Sequence, residues 1–122
     1  MKTIWITGGS TGIGAATAKK FNINNWRVII SSRDSKALNE TRENIINNSI
    51  NKEVYSMPCD ISKRDEVHQV VRNIENKYNI DLALLNAAAY SPNKAQEFDI
   101  ENYNLLIDVN LKGTLHCIEI LK

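Results

Sequence analysis

Eight residues, Thr7-Gly8-Gly9-Ser10-Thr11-Gly12-Ile13-Gly14, restrict this chain more than any others. They follow Lys2–Thr7, a run of β-branched and aromatic residues that reads as a buried strand. They precede Ala15–Phe21, a small-residue stretch with a helical pattern. A strand that passes through glycines directly into a helix is a phosphate-binding arrangement. Gly8 permits the tight turn, Gly12 lets backbone N–H groups approach a pyrophosphate, and Gly14 lets the helix lie close to the sheet. The first N–H groups of the helix have no partners inside it and favour an anion. The spacing is TGxxxGIG, not the general GxGxxG. The alternative is a glycine-rich connection that binds nothing, and the flanking strand and helix argue against it.

The alternation of periods continues down the chain. Trp26–Ser31 reads as a second strand, and Asp34 or Ser35 caps a helix that buries Leu38, Thr41, Ile45 and Ile46. Glu53–Met57 is a third strand, stopped by Pro58. Ser62 and Asp65 are spaced as a capping box, and Val67, Val70, Val71, Ile74 and Tyr78 form one helical face behind them. Asp81–Asn86 is a fourth strand, followed by a loop containing Pro92 and a last helix from about Asp99 to Leu121. The order β-α-β-α-β-α-β-α calls for a parallel sheet with helices on both faces and right-handed crossovers. Apolar runs in place of alternation fit strands covered on both sides. Ligands of such sheets bind beyond the carboxyl ends of the strands. Four groups fall there: Thr7–Gly14, Ser32-Arg33, Cys59-Asp60 and Asn86–Ala89.

Composition narrows the class. At 122 residues the chain is one domain's length by the usual figure of roughly 150, and its 43% hydrophobic and 24% charged residues are ordinary globular values. A net charge of +1 gives no support to a nucleic-acid or membrane-surface partner. Cys59 and Cys117 match no metal or redox spacing, which points to free thiols in a reducing compartment. Apolar runs stay far short of the 18 or so residues of a membrane span, and Met1–Thr7 is too short for a signal peptide. The expectation is a soluble cytoplasmic protein with no metal site.

The motif TGGSTGIG resembles the cofactor loop of the short-chain dehydrogenases/reductases. The resemblance continues in order through Asp60 in Cys-Asp-Ile-Ser, Asn86-Ala87-Ala88 after the fourth strand, and Asn110 in Asp-Val-Asn-Leu-Lys-Gly on the last helix. It covers essentially all of the chain. It implies a Rossmann-type doubly wound parallel sheet with strand order 3-2-1-4, here without the C-terminal strands. It also implies a nicotinamide cofactor and hydride transfer at a carbonyl or alcohol carbon. Residues 1–122 would then form a single dinucleotide-binding domain, the N-terminal part of a larger family domain. The cofactor loop would contribute Thr7, Gly8, Ser10, Thr11, Gly12, Ile13 and Gly14.

Arg33 bears on the choice of cofactor. NAD enzymes of this fold place an acid about 20 positions beyond the glycines, on the ribose 2′-OH. Here Ser32 ends the second strand and Arg33 follows, a pair that suits a 2′-phosphate. The expected cofactor is NADP in preference to NAD, with Asp34 read as a helix cap. A solvated surface arginine is the alternative. The resemblance places Asp60, with Ile61 beside it, on the adenine ring, although Asp60 could instead cap the third helix. It places Asn86, Ala87 and Ala88 at the cofactor ribose, although Asn86 could be an ordinary strand-end residue. The family pattern Asn-Asn-Ala-Gly reads Leu85-Asn86-Ala87-Ala88 here, so ties between the fourth strand and its neighbours are expected to be weaker. Asn110 corresponds to the family's catalytic Asn, which supports a water chain to the catalytic lysine; the alternative is an ordinary packed polar residue. His116 shares a stripe with Asp108, Lys112 and Glu119 and reads as solvated, and His68 lies off the apolar face of its own helix.

Catalysis in the family needs a Ser after a fifth strand and a Tyr with a Lys four residues on. The one Tyr-x-x-x-Lys string here is Tyr90-Ser91-Pro92-Asn93-Lys94, in a loop that Pro92 keeps from being helical. The chain is therefore expected to be inactive alone. Two functions remain open: the cofactor half of an NADP-dependent oxidoreductase with a small carbonyl or alcohol substrate, and a non-catalytic dinucleotide-binding or interaction module. The bare fourth-strand edge and the apolar breadth of the last helix add an expectation of association into a homo-oligomer.

Overall fold

The computed structural model describes residues 1–90 and 98–121. Four strands form its sheet: β1 (Thr3–Thr7), β2 (Arg27–Ser31), β3 (Val54–Ser56) and β4 (Leu82–Leu85). All neighbours are parallel and the order is β3-β2-β1-β4. β1 sits centrally, with Trp5 opposite Ile29 on one side and Ala83 on the other. All five of its residues are buried, which is why its sequence is an apolar run and does not alternate.

Alternate residues of the strands feed two cores. Ile4, Ile6, Val28 and Ile30 pack with Ala18 of α1 (Gly12–Ile23) and with Leu38 and Ile45 of α2 (Ser35–Asn47). Trp5 and Ile29 pack on the opposite face with Val67, Val71 and Ile74 of α3 (Arg64–Glu75). Cys117 of α5 (Thr114–Leu121) joins that second core. The chain runs from β1 outward to β2 and β3, then returns to the other side of β1 for β4. The sheet order therefore reverses at β1, and a crevice opens there beyond the carboxyl ends of the strands.

Two local features differ from the sequence reading. The Ser62–Asp65 capping box does not form, and α3 starts after Lys63 with no side-chain cap. Asp60 instead accepts hydrogen bonds from the Ser62 N–H at 3.0 Å and the Ser62 hydroxyl at 2.7 Å. A carboxylate two residues upstream outcompetes the cap, because the contact closes a local turn. The last helix is also not one α-helix. It runs as α4 (Ile100–Ile107), a wide π-helical turn over Asp108–Gly113, and then α5. The turn contains Asn110 and Gly113, both poor helix formers. A Cβ on Gly113 would come within 2.7 Å of the Ile61 side chain, so the glycine lets this segment press on the loop after β3. Elsewhere the expected elements are present within a few residues of their expected ends, and Asp34 caps α2 by accepting from the Ala37 N–H at 3.1 Å.

Candidate functional site

Most of the predicted residues border one cleft of about 650 Å³ beyond the strand ends. Its walls come from the glycine loop (Gly8, Ser10, Thr11, Gly12, Ile13), the end of β2 (Ser32, Arg33), the loop after β3 (Asp60, Ile61) and the segment after β4 (Asn86, Ala87, Ala88). Thr7, Gly14 and Asn110 stand behind these walls and hold them.

The glycines differ in what they do. Gly8 adopts φ +69 and Gly12 φ +56, the left-handed region that other residues rarely enter. A Cβ on Gly8 would meet the Ala87 Cα at 2.8 Å, so the loop lies against the segment after β4. A Cβ on Gly14 would collide with the Gly8 carbonyl oxygen, so α1 packs directly on the turn that precedes it. Among the described residues nothing lies within 4 Å of the Cβ position at Gly12. The cradle is therefore closed at Gly8 and Gly14 and open at Gly12, at the start of a helix whose first N–H groups lack partners in it. A pyrophosphate fits that shape and polarity.

Behind the cleft, Thr7 is 1% exposed. Its hydroxyl oxygen accepts from the backbone N–H groups of Asn86 at 3.0 Å and Ala87 at 3.1 Å. The Asn86 amide donates to the Gly8 carbonyl at 3.2 Å. Three hydrogen bonds thus join the end of β4 to β1 and the loop, all made through Thr7 and the retained Asn86 and none through the side chain of Leu85. Asn110 grips Ala89 at both backbone groups, accepting from its N–H at 2.7 Å and donating to its carbonyl at 2.9 Å. The wide turn that carries Asn110 thereby holds the segment after β4 in place.

Arg33 is exposed at the cleft edge, and Ser32 donates weakly to the Asp34 carbonyl at 3.4 Å. Asp60 borders the cleft while its Oδ1 holds Ser62. Ser31, Cys59 and Val109 also line the cleft. Of these, only Cys59 had stood out in the sequence, by its place at a strand end. Ser31 is buried and its hydroxyl oxygen accepts from the Trp5 indole N–H at 3.0 Å. The sequence contains no local signal for that pair, because the two residues meet only when β1 and β2 align.

The remaining titratable groups are structural. Burial pushes the Cys59 thiol up to about 12 and the Cys117 thiol up to about 11, so neither is a ready nucleophile. Neither histidine sits on a free, solvated face. His116 is half-buried, with Nδ1 2.8 Å from the Ile61 carbonyl oxygen. His68 is 13% exposed, with Nε2 2.7 Å from Glu119 Oε1. Arg64 reaches the same oxygen at 2.8 Å and holds the Glu119 carboxyl below its ordinary range. The helical wheel of a single straight helix misplaced His116, because it did not anticipate that α5 would lie on α3 and on the loop after β3; His68 lies off the apolar face of α3, as expected, and meets Glu119 of α5 there. Among the described residues no group of three or more His, Cys, Asp or Glu could hold a metal ion. No helix among them is long and apolar enough to cross a membrane. Tyr90 is 87% exposed, and Ser91, Pro92, Asn93 and Lys94 lie outside the described residues.

Comparison with known proteins agrees with this geometry. The family model for short chain dehydrogenases matches residues 2–121. An uncharacterized oxidoreductase of Staphylococcus saprophyticus is 31% identical over 118 residues, which are 96% of this chain and 50% of that protein. A short chain dehydrogenase from Bacillus anthracis, solved by crystallography, superposes with a TM-score of 0.89 at 28% identity, over 97% of this chain and 48% of the other. An alcohol dehydrogenase from Thermococcus sibiricus, crystallised with 5-hydroxy-NADP, shares the fold with a TM-score of 0.88 at 24% identity, over 99% of this chain and 52% of the other. The chain spans about half the length of the curated relatives it matches.

Proposed function

The chain belongs to the short-chain dehydrogenase family, and from that premise we propose that residues 1–122 are one dinucleotide-binding unit of an oxidoreductase that takes NADP(H) in preference to NAD(H). In this reading the pyrophosphate lies on Ser10, Thr11, Gly12 and Ile13, with Gly8 and Gly14 shaping the turn and Thr7 bracing it. Arg33 and Ser32 take the 2′-phosphate. Asp60 and Ile61 border the adenine, and Asn86, Ala87 and Ala88 border the nicotinamide ribose. When bound, the nicotinamide supplies or accepts a hydride at a carbonyl or alcohol carbon of a small substrate. The chain's own residues bind and orient: the glycine cradle offers unpartnered N–H groups, and Asn110 holds Ala89 so that the neighbouring Ala87 and Ala88 keep their distance from the ribose.

The observation that carries the cofactor choice is Arg33, exposed at the rim of the same cleft as the Gly12 cradle. Asp34 borders that cleft too, but its carboxylate is engaged at the α2 N-terminus by the Ala37 N–H. The test is fluorescence titration of the chain with NADPH and NADH, repeated on Arg33→Asp. NADPH should bind more tightly to the parent, and the substitution should remove that preference. Equal affinities in the parent, or an unchanged preference in the variant, would refute the assignment.

A second reading, a non-catalytic dinucleotide-binding module, draws on one sequence observation. The only Tyr-x-x-x-Lys string in the 122 residues is Tyr90–Lys94, and Pro92 interrupts it. On either reading the chain alone turns over no carbonyl or alcohol substrate, because positioned acid–base groups are worth roughly 10²–10⁴-fold. Robust NADPH-dependent reduction that disappears in Tyr90→Phe would show otherwise. Self-association completes the proposal. Leu82 at the β4 edge is 43% exposed, and Leu111, Leu115 and Ile118 are 58%, 53% and 47% exposed. Light scattering should show species larger than one chain.

A further inference from the structure

Three consecutive residues of the glycine loop are held by three different elements. The Gly8 carbonyl accepts from Asn86, just after β4, at 3.2 Å. The Gly9 N–H donates to the Ser31 carbonyl of β2 at 3.1 Å. The Ser10 carbonyl accepts from the Thr41 hydroxyl of α2 at 2.7 Å. The first two anchors come from strand ends whose places the sheet already sets. The third is a side chain from the middle of a helix, 31 residues away in sequence.

α2 is itself well placed to act as an anchor. It begins directly after Arg33, with its first turn capped by Asp34. The residue after Thr41, Arg42, donates from Nε to the Val54 carbonyl of β3 at 2.7 Å. The helix is therefore pinned on its sheet side at the level of the Thr41 contact. A trans peptide is planar, with its C=O and N–H pointing in opposite directions. Fixing the Ser10 carbonyl toward α2 thus fixes the Thr11 N–H away from α2, and Thr11 lines the cleft.

We infer that Thr41 is a positioning residue of the dinucleotide site, holding the Ser10–Thr11 peptide so that the loop's N–H groups stay aimed at the pyrophosphate. This rests on the reading that the cleft takes a dinucleotide. Thr41 touches no part of the cofactor, and its effect passes through Ser10. The pyrophosphate is common to both dinucleotides, so loss of the hydroxyl weakens both alike. Loss of the Arg33 charge weakens only the phosphorylated one. Those two patterns separate the helix anchor from the 2′-phosphate contact.

The experiment is titration of the 122-residue chain with NADPH and with NADH, in the parent, Thr41→Val, Thr41→Ser and Arg33→Asp, with far-ultraviolet circular dichroism confirming folding. Thr41→Val keeps the shape and removes the donor, and should weaken both dinucleotides by the same factor of about 5–10, the worth of one hydrogen bond. Thr41→Ser keeps the donor and should restore parental affinity. Parental affinity in Thr41→Val would overturn the inference, as would a Thr41→Ser variant that folds but binds no better than the valine variant. A loss confined to NADPH would also overturn it, because the hydroxyl would then serve the 2′-phosphate side. A parent chain that binds neither dinucleotide overturns the functional reading and this inference with it.

Discussion

Gly14→Ala sets two effects of opposite sign against each other. Gly14 is in the first turn of α1, and alanine is favoured over glycine inside a helix by about 1 kcal/mol. Judged on helix propensity alone, the change stabilises. The tertiary contact reverses that sign. The new Cβ would overlap the Gly8 carbonyl oxygen and approach the Gly8 carbonyl carbon at 2.9 Å and the Asn86 amide nitrogen at 2.8 Å. Two of these atoms are backbone, and the third already donates to the same Gly8 carbonyl at 3.2 Å. None is the free end of a flexible side chain, so α1 must lift from the loop. Overpacking of this kind costs about 1–3 kcal/mol. Loss of the Asn86–Gly8 hydrogen bond adds about 1 kcal/mol. Setting the propensity gain against these leaves a net destabilisation of about 1–3 kcal/mol. For a chain of this size that lowers the thermal midpoint by roughly 4–12 °C. Urea unfolding followed by circular dichroism measures the difference directly. Gly12→Ala is the control: its Cβ meets nothing within 4 Å among the described residues, but its φ of +56 should cost about 1–2 kcal/mol by backbone strain alone. A Gly14→Ala chain as stable as the parent would refute the reasoning, because helix propensity would then outweigh the contact.

Three further outcomes follow from the geometry. The folded state holds the Cys59 and Cys117 thiols protonated, at about 12 and 11, while unfolded thiols ionise near 8.5. Their contribution is therefore intact below about pH 8.5 and is lost as pH rises from there toward the folded values; unfolding free energies at pH 8 and 10 should fall less in a Cys59→Ala, Cys117→Ala chain than in the parent. Asn110→Ala should speed hydrogen exchange of the Ala89 amide and cost about 1 kcal/mol, since both of its bonds to Ala89 are exposed and water can partly replace them. Asn110→Asp should be worse at neutral pH, because it sets a carboxylate oxygen against the Ala89 carbonyl where an amide donor had been; equal effects would remove the amide's donor role. Asn22 is fully buried with its amide donating to the Asn51 carbonyl at 2.8 Å and its own Oδ1 without a partner among the described residues. Asn22→Leu should destabilise by about 1 kcal/mol, the loss of one of the two hydrogen bonds to the Asn51 carbonyl, which keeps the Ser49 hydroxyl at 2.7 Å, as read by urea midpoints.

The order of elements, the parallel sheet and the position of the crevice were legible in the residues because each rests on short-range information. A strand covered on both faces reads as an apolar run, as Ile4-Trp5-Ile6 does, and a turn at φ +69 favours a glycine, as at Gly8. The cradle was legible for the same reason: strand, turn and helix lie within about twenty consecutive residues. What holds the cradle was not. Thr41 on Ser10, Ser31 on Trp5 and Asn110 on Ala89 join residues 31, 26 and 21 positions apart. A threonine in an amphipathic helix looks the same whether its hydroxyl meets water or a carbonyl. The histidines make the same point in reverse. A helical wheel assigned His116 to solvent, yet the wide turn at Asp108–Gly113 and the bare Gly113 bring it onto the Ile61 carbonyl. Periodicity says which face of a helix is apolar. Only packing says which loop or neighbouring helix comes to lie against its polar residues, because that depends on where the rest of the chain has already gone.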